Sequence, residues 1–163
     1  MTTINGNTGI DRVNDGSITQ ADLAPNVAGN GPCFMSINAA TQTGFGPTLA
    51  VVELASELFD TDSSFAANIF APKVAGYYQF NASITWGSGL PNPSGATLAL
   101  LKNSALYGKA SYTVITTGYE LTQTLTCFVP LVVGDIVNLG GSVTAGSGRL
   151  NSAQFSGFLA RAA

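Results

Sequence analysis

Few side chains in this sequence could catalyse a reaction or bind a metal ion. The chain contains no histidine, which excludes Ser-His-Asp and Cys-His nucleophilic systems, imidazole general bases and His-ligated zinc or iron. Cys33 and Cys127 lie far apart without C-x-x-C spacing, so one chain cannot form a redox motif or a thiolate metal site from them, and we expect two buried free thiols. The sequence therefore predicts no catalytic residue and no cofactor.

The carboxylates show one pattern that is typical of a metal site. Asp60 and Asp62 place oxygen ligands at alternate positions, as at the start of a calcium loop, but Phe65 stands where an EF-hand has glycine. A solvated turn is the expected structure, with calcium binding as the alternative. Glu53 and Glu57 could act as an acid and base pair only across a cleft, which nothing in the pattern indicates. We expect these two side chains to lie in solvent.

Aromatic residues are the best candidates for a binding surface. Tyr107, Tyr112 and Tyr119 flank a polar run and are expected to be exposed recognition residues. Trp86 falls at an apolar position of an alternating segment, and we expect it to lie in the core. The three tyrosines could contact a glycan or a protein.

The charged side chains are sparse and scattered. Lys and Arg total 6, Asp and Glu total 9, the net charge is −3, and charged residues make up 9% of the chain, against roughly 25% in a typical soluble domain. A protein that tracks nucleic-acid phosphates needs a basic stripe, which the sequence lacks. Mean hydropathy is +0.28, yet polar residues, Gly or Pro interrupt every apolar run before the ~20 residues of a membrane span. We therefore expect no nucleic-acid partner, no membrane anchor and no secretory signal peptide.

The elements that position these residues are predicted to be β-strands in one domain. The chain of 163 residues is long enough for a single core. Residues 1–31 lack a sustained period and are interpreted as an extended attachment arm, with one short helical turn at 19–23. Residues 32–163 consist of short runs rich in Val, Ile, Thr, Tyr and Phe. This pattern is typical of an all-β, two-sheet antiparallel sandwich or jelly roll.

Turn residues divide the head into strands. Gly, Pro, Ser and Asn gather at 44–47, 87–95 and 140–148. The last two clusters and the segment 104–119 are expected to be loops that are displayed to the outside. Apolar residues between 49 and 59 fit a helical period as well as strands, but the flanking turn residues favour a pair of strands.

Two kinds of strand can be distinguished. Segments 76–86 and 120–131 alternate apolar with polar residues, as expected for a sheet with one face on the core and one in water. Segments 96–101, 135–139 and 155–160 are apolar or small at nearly every position, which is typical of strands buried on both faces. In a two-layer sandwich, another copy of the protein would have to cover the second face. We therefore predict an outer sheet in water and an inner sheet buried in an oligomer. The interface candidates are Leu101, Ile136 and Phe158.

Five segments, taken in order, resemble the globular head of complement component one-q. They are Phe70, residues 76–80 (GYYQF), 101–103 (LKN), 133–139 (VGDIVNL) and 155–159 (FSGFL). That family shares its jelly roll with the tumour necrosis factor ligands. Its members are homotrimers or heterotrimers that pack an apolar inner sheet around a threefold axis. The resemblance thus implies a jelly-roll head and a homotrimer.

The arm carries a second resemblance. Residues 10–32 (IDRVNDGSITQADLAPNVAGNGP) look like the leader that precedes such heads in structural proteins of tailed bacteriophages. A collagen stalk would instead show Gly-X-Y repeats, which the sequence lacks. The resemblance implies that the arm attaches to other virion proteins, such as major capsid or tail subunits. The apolar docking candidates in the arm are Ile18, Leu23 and Val27.

The hypothesis from the sequence is a non-enzymatic structural protein on the virion surface of a tailed phage. The head would be a homotrimeric knob that decorates the capsid, as a decoration protein or a short head fibre, and the arm would hold it there. The alternative is a tail-fibre or receptor-binding tip that recognises glycan or protein on the host surface. A third alternative, an enzyme such as a depolymerase, would need carboxylates that face a cleft.

Overall fold

The computed structural model of the chain describes residues 31–88, 94–115 and 119–163. Every regular element within these ranges is a β-strand, so the expected all-β class is confirmed. Within the same ranges, no helix is long and apolar enough to cross a membrane.

Twelve strands occupy the described residues. In chain order they are β1 (Cys33–Asn38), β2 (Gln42–Phe45), β3 (Ala50–Val51), β4 (Ser56–Asp60), β5 (Phe65–Ala66), β6 (Ile69–Phe70), β7 (Gly76–Trp86), β8 (Ser94–Lys102), β9 (Ala105–Ile115), β10 (Leu121–Leu131), β11 (Val137–Val143) and β12 (Gly148–Ala162). Asn103 (φ 52°) and Ser104 (φ 65°) form the turn between β8 and β9. Positive φ at both central residues is typical of a tight hairpin turn whose twist matches that of the strands.

Two antiparallel sheets form the sandwich. The front sheet has the order β10-β7-β12-β1-β4, and β2 also pairs with β12. The back sheet has the order β5-β6-β11-β8-β9, and β3 also pairs with β11. Because β1 and β12 are neighbours, the chain enters the head beside the strand with which it ends.

Strand β7 confirms the predicted alternation. Its apolar positions are buried, and the residues between them face away from the core. Trp86 is fully buried, as expected, and its indole N–H donates a hydrogen bond of 2.7 Å to Gln123 Oε1. Gln123 Nε2 in turn donates to the carbonyl of Ala96 on the back sheet at 3.1 Å. Since a buried indole N–H needs an acceptor, this contact ties the two sheets together.

An aromatic cluster packs between the sheets. The ring centroids of Phe34 and Phe155 are 5.1 Å apart, and those of Phe80 and Phe155 are 5.4 Å apart. Gly157 provides the space for these rings, because a Cβ at this position would lie 2.5 Å from Phe80 Cδ1. The FSGFL segment at 155–159 therefore places its glycine where no side chain fits.

The predicted division into outer and inner sheets is wrong for residues 155–160. These residues belong to β12, which lies in the front sheet between β7 and β1. Alternate positions of β12 face the core, whereas Phe158 is 41% exposed on the opposite face. The pattern was misleading because Phe158 shares that opposite face with the small residues Ser156 and Ala160, so the face does not have the polar character of a solvated strand.

Strands β8 and β11 are buried on both faces, as expected, but their own chain covers them. Leu101 is 6% exposed and lies over Gly140. A Cβ at Gly140 would be 3.1 Å from Leu101 Cδ1 and 3.4 Å from Leu49 Cδ2. Leu49, which precedes β3, thus packs on the same face of β11 as Leu101. The burial of Leu101 needs no second copy, so the argument that placed it at a subunit interface does not hold.

Residues 49–59 form strands, as predicted, but these strands do not pair with each other. Strand β3 pairs with β11 of the back sheet, and β4 pairs with β1 of the front sheet. The two short strands therefore connect the sheets instead of forming a hairpin.

Two predicted loops are largely strand. Strand β9 covers residues 105–115, and β11 continues through Val143, which leaves 144–147 as the turn before β12. Gly141 lies inside β11, and a Cβ there would be 3.1 Å from the rings of both Phe45 and Trp86. A glycine that suggested a loop thus lies in a strand, at a position where the packing leaves little room for a side chain.

Candidate functional site

The face of the front sheet that points away from the core has few charged residues. It is formed by alternate positions of β10, β7, β12 and β1, and we call it the open face. Strands β1, β7 and β10 contain no Asp, Glu, Lys or Arg, and β12 contains only Arg149 and Arg161, near its two ends. Surfaces that remain in water normally carry Lys, Glu, Arg or Asp. The composition of the open face therefore indicates a contact surface.

One end of the open face is aromatic. Tyr77 on β7, Phe128 on β10 and Phe158 on β12 are 50%, 59% and 41% exposed, and together we call them the aromatic patch. The register places Gln79 directly between Phe128 and Phe158, with Tyr77 beside Pro130. A shallow groove of about 610 Å³ lies between Tyr77, Phe128 and the end of β12. Three exposed aromatic side chains on neighbouring strands are typical of an interaction surface.

The middle of the open face is polar but uncharged. Thr85 and Thr122 share a hydrogen bond of 3.0 Å between their hydroxyls. Thr126 Oγ1 donates to Asn81 Oδ1 at 3.1 Å. Both contacts join β7 to β10, so these polar groups already satisfy one another within the sheet. Burying them would cost less free energy than burying a charge.

At the far end of the open face, polar side chains meet over Gly87. This glycine follows β7, and its N–H donates to the Arg149 carbonyl on β12 at 2.8 Å. Asn151 Nδ2 donates to Glu120 Oε1, on the other side of Gly87, at 2.5 Å. A Cβ at Gly87 would lie 2.8 Å from Arg149 Nε and 3.1 Å from Asn151 Oδ1. Gly87, Glu120, Arg149 and Asn151 are called the Gly87 cluster below.

Only one of the three predicted interface residues, Phe158, lies on the open face. Leu101 is covered on the back sheet, and Ile136 is half-buried in the turn before β11, where its N–H donates to Asn103 Oδ1 at 2.9 Å. The structure therefore does not bring the three residues together. Sequence reasoning missed Phe128, although the lack of charge along β7 and β10 was a signal that could have identified it.

The three tyrosine candidates lie in different environments. Tyr119 is 74% exposed just before β10, as expected. Tyr107 is half-buried and packs against the core, because β9 is a strand of the back sheet and not a displayed loop. The backbone of Tyr112 lies in β9, and its side chain is outside the described residues. The arm candidates Ile18, Leu23 and Val27 also lie outside the described residues.

Asp60 and Asp62 lie in a turn that uses their carboxylates. Asp60 Oδ1 accepts a hydrogen bond from the Asp62 N–H at 3.2 Å, and Asp60 Oδ2 accepts one from the Phe65 N–H at 2.6 Å. Asp62 Oδ2 accepts one from Ser64 Oγ at 3.1 Å. Asp side chains commonly close turns in this way. In the part of the chain that the structure describes, no three His, Cys, Asp or Glu side chains are grouped to hold a metal ion.

Neither cysteine forms a disulfide bond. Cys127 is buried, as expected. Cys33 is half-buried, contrary to the expectation, because the alternation of β1 directs it to the open face, where it lies opposite Phe158.

Comparisons with known proteins identify the fold. The globular domain of the zebrafish complement 1qA protein matches with a TM-score of 0.65 and 24% sequence identity, over 81% of this chain and 99% of that chain. The head has the complement one-q fold. Murine APRIL, in its structure at pH 8.5, matches this one-q-like head with a TM-score of 0.52 and 9% identity, over 78% of this chain and 99% of that chain. The predicted complement one-q and tumour necrosis factor-like jelly roll is thus confirmed. No family model and no curated protein matches the sequence.

Proposed function

We propose that this chain is a non-enzymatic structural protein whose jelly-roll head associates with itself through the open face of the front sheet. The observation that supports this proposal is the pairing of an aromatic patch with a face that lacks charge along its whole middle. Burying one large apolar side chain contributes on the order of 1.5–3 kcal/mol. On the part of the open face between Arg149 and Arg161, burying these side chains does not require a charged group to leave water.

The proposed assembly is a homotrimer. The sequence resemblance to complement one-q heads implies three subunits around a common axis, and the shared fold is compatible with this arrangement. Each subunit would turn its open face toward the axis, so that the three aromatic patches meet. Closed cyclic symmetry of this kind buries the patch in every subunit.

Light scattering coupled to size-exclusion chromatography tests the assembly. The full chain should elute with three times its 16.6 kDa mass. Phe128→Glu should yield monomers, because association would then bury an unpaired charge. Leu106→Glu, at a residue of the back sheet that is exposed to a similar extent, should remain trimeric. A stable monomer of the unchanged chain at micromolar concentration would refute the trimer.

For the finer role, we propose a knob on the virion surface of a tailed phage, either a capsid decoration protein or a short head fibre. The support is the sequence of residues 10–32, which resembles the leader of such heads in phage structural proteins. The chain enters the head beside the end of β12, where the Leu159 N–H donates to the Pro32 carbonyl at 3.0 Å. An attachment arm would thus leave the jelly-roll head at the end of the front sheet that carries the aromatic patch. The opposite end, which carries Gly87, would point away from the virion.

Immunogold labelling of intact particles tests the virion role. Label over the phage capsid supports decoration, whereas label confined to the tail tip supports the receptor-binding alternative. Changing Ile18, Leu23 and Val27 together to Ser in the full chain should leave the trimer intact and abolish attachment to particles. Leu106→Ser, which leaves the arm unchanged, should attach normally.

The receptor-binding alternative has one structural observation in its favour. Tyr119 is strongly exposed at the pole opposite to the entry of the arm, where a displayed aromatic side chain could anchor a contact. Purified protein should then compete with phage adsorption to host cells. Adsorption that is unaffected by a saturating dose would exclude this role.

A further inference from the structure

We propose that, in the trimer, the exposed side chains of β10 pack on an apolar stripe along β1 and β4 of the neighbouring subunit. This inference rests on the proposed self-association and names the two different surfaces that meet in it. The exposed side chains of β10, called the β10 side below, are Thr122, Thr124, Thr126, Phe128 and Pro130.

Strand β1 reverses the alternation of the front sheet. On β7 the apolar residues face the core and most residues between them are polar. On β1 the polar residues Ser36 and Asn38 face the core, where they are buried and each forms a hydrogen bond. The residues that face outward are apolar and half-buried, and they are Cys33, Met35 and Ile37. Apolar side chains on the outer face of a sheet gain free energy when a partner covers them.

The apolar surface continues onto the strands beside β1. Met35 lies opposite Phe59 of β4, which is 47% exposed, and Cys33 lies opposite Phe158 of the aromatic patch. A shallow groove of about 230 Å³ lies between Ile37 and β12. The outward residues of β1 together with Phe59 are called the β1 stripe below. This stripe is continuous with the aromatic patch and offers a concave place for side chains of a neighbour.

A threefold axis decides which surfaces meet. In a ring of three subunits, each subunit contacts its two neighbours through two different surfaces, so the contacts away from the axis are heterologous. When the open face is directed toward the axis, these two surfaces are the lateral sides of that face. One side is β10, at the edge of the sheet, and the other side is formed by β1 and β4. The β10 side of one subunit therefore meets the β1 stripe of the next.

The two surfaces can meet only between subunits. Strands β7 and β12 separate β10 from β1, and three steps of about 4.8 Å place the two strands roughly 14 Å apart. Neither β1 nor β10 contains a charged residue. The arginines of β12 lie outside both surfaces, since Arg149 belongs to the Gly87 cluster and Arg161 to the end of the strand. The contact thus buries apolar groups without taking a charge out of water.

Cross-linking through the native Cys33 tests the pairing. Single thiols are introduced on the β10 side by Thr124→Cys, Thr126→Cys or Pro130→Cys, and a short bifunctional maleimide is added to the full-length trimer. At least one of the three variants should yield covalent trimers on a denaturing gel, because each subunit is then linked to both of its neighbours. An isologous contact would link no more than two chains.

Two controls identify the linked thiols. Cys33→Ser, added to each of the three variants, should abolish the covalent trimers, because Cys127 is buried. Leu106→Cys, at an exposed position of the back sheet, should give no covalent trimers.

Charge variants of the β1 stripe provide a second measurement. Met35→Glu should weaken association at least about tenfold, because a charge would be buried beneath the neighbour. Phe59→Glu, at an exposed position on the edge strand, should have a similar effect and keeps the test decisive if Met35→Glu fails to fold. Ala66→Glu, exposed on the back sheet, should associate as the unchanged chain does. Sedimentation equilibrium measures the association constant of each variant.

Two results would overturn the pairing and leave the trimer in place. The first is that the unchanged chain is a trimer in light scattering, but none of the three cysteine variants yields covalent trimers. The second is that Met35→Glu and Phe59→Glu, shown by circular dichroism to be folded, associate as tightly as the unchanged chain. A monomeric unchanged chain would instead refute the trimer itself, and the pairing with it.

Discussion

Asp135 shows how a single carboxylate connects two turns of the sandwich. Its Oδ1 accepts a hydrogen bond from Asn103 Nδ2 at 2.8 Å, and its Oδ2 accepts one from the Val132 N–H at 2.9 Å. Lys102 Nζ lies 3.0 Å from Asp135 Oδ2. These contacts, with the hydrogen bond from Asn103 as the largest cause, lower the pKa of Asp135 to about 2. The turn between β8 and β9 is thereby held against the turn between β10 and β11.

Acid should remove this contribution. Because the pKa of Asp135 in the folded state lies below its ordinary value of 3.8, its stabilisation is complete above that value and is lost as the pH falls toward 2. The free energy of unfolding contributed by the group is on the order of 2 kcal/mol. Urea unfolding at about pH 7 and pH 2.5 measures it. Asp135→Asn should be less stable at neutral pH, and its stability should depend less on pH. The control variant Glu53→Gln should show neither change. If the stability of Asp135→Asn depends on pH as strongly as that of the unchanged chain, Asp135 is not the source of the acid sensitivity.

Gly157 is a residue at which a single methyl group should be costly. A Cβ there would lie 2.5 Å from Phe80 Cδ1 and 2.9 Å from Phe34 Cε1, inside a close-packed aromatic cluster. Gly157→Ala should lower the free energy of unfolding by about 1–3 kcal/mol or more, as overpacked cores do. Gly46→Ala is the matched control, because no atom lies within 4 Å of the added carbon. Equal stability of the two variants in chemical denaturation would show that the cluster can relax.

At the same scale, sequence patterns predicted some residues and not others. The burial of Trp86 follows from the local alternation of β7. The burial of the polar residue Gln123 does not follow from a local pattern. Its side chain accepts a hydrogen bond from the indole N–H of Trp86, which lies 37 positions away in the chain. Asn151 was equally hidden, since its position over Gly87 depends on a bulge that arises only when β12 pairs with β7.

At the scale of elements, patterns identified strands but not their neighbours. The alternation in β7 and β10 predicted which residues face the core. The two-sided burial of β8 and β11 was also predicted, yet its cause was assigned to a second subunit, because no local pattern shows that Leu49 and Leu101 both pack next to Gly140. Strand β12 was placed in the wrong sheet for a similar reason. Pairing between strands distant in the chain is decided by packing across the whole domain.

Leu101 provides a test of this distinction between cover and interface. Leu101→Ala should lower the free energy of unfolding by about 2–4 kcal/mol, because Leu101 is buried within the subunit and its truncation leaves a cavity beside Gly140. It should leave the oligomeric mass unchanged in light scattering. Leu106→Ala, at the residue directly opposite on β9, should have little effect on either quantity because Leu106 is exposed. If Leu101→Ala dissociates the trimer without lowering the free energy of unfolding, Leu101 lies at the subunit interface after all.

At the scale of the whole molecule, the surface that lacks charged residues is the open face of the front sheet. Charged residues make up 9% of the chain, and the front-sheet strands β10, β7, β12 and β1 carry only Arg149 and Arg161. From the sequence, the apolar excess was expected on three segments, of which 96–101 and 135–139 belong to the back-sheet region and 155–160 to β12 of the front sheet. In the structure, β8 and β11 are buried within their own chain, whereas the uncharged surface that remains exposed lies on the front sheet and includes Phe158. The argument from composition to self-association therefore applies to the front sheet.

This location makes the response of the assembly to salt a test of what holds it together. An interface of aromatic and uncharged polar side chains has no ion pairs for salt to screen, so the trimer should persist between about 0.05 and 1 M sodium chloride, over which the screening length falls several-fold. Sedimentation equilibrium of the full chain measures the association constant across this range. Arg161→Ala, at the rim of the aromatic patch, should change that constant little, whereas Phe158→Ala should weaken it at every salt concentration because buried apolar area is lost. Dissociation at high salt, or a larger loss in Arg161→Ala than in Phe158→Ala, would mean that charges and not the aromatic patch hold the subunits together.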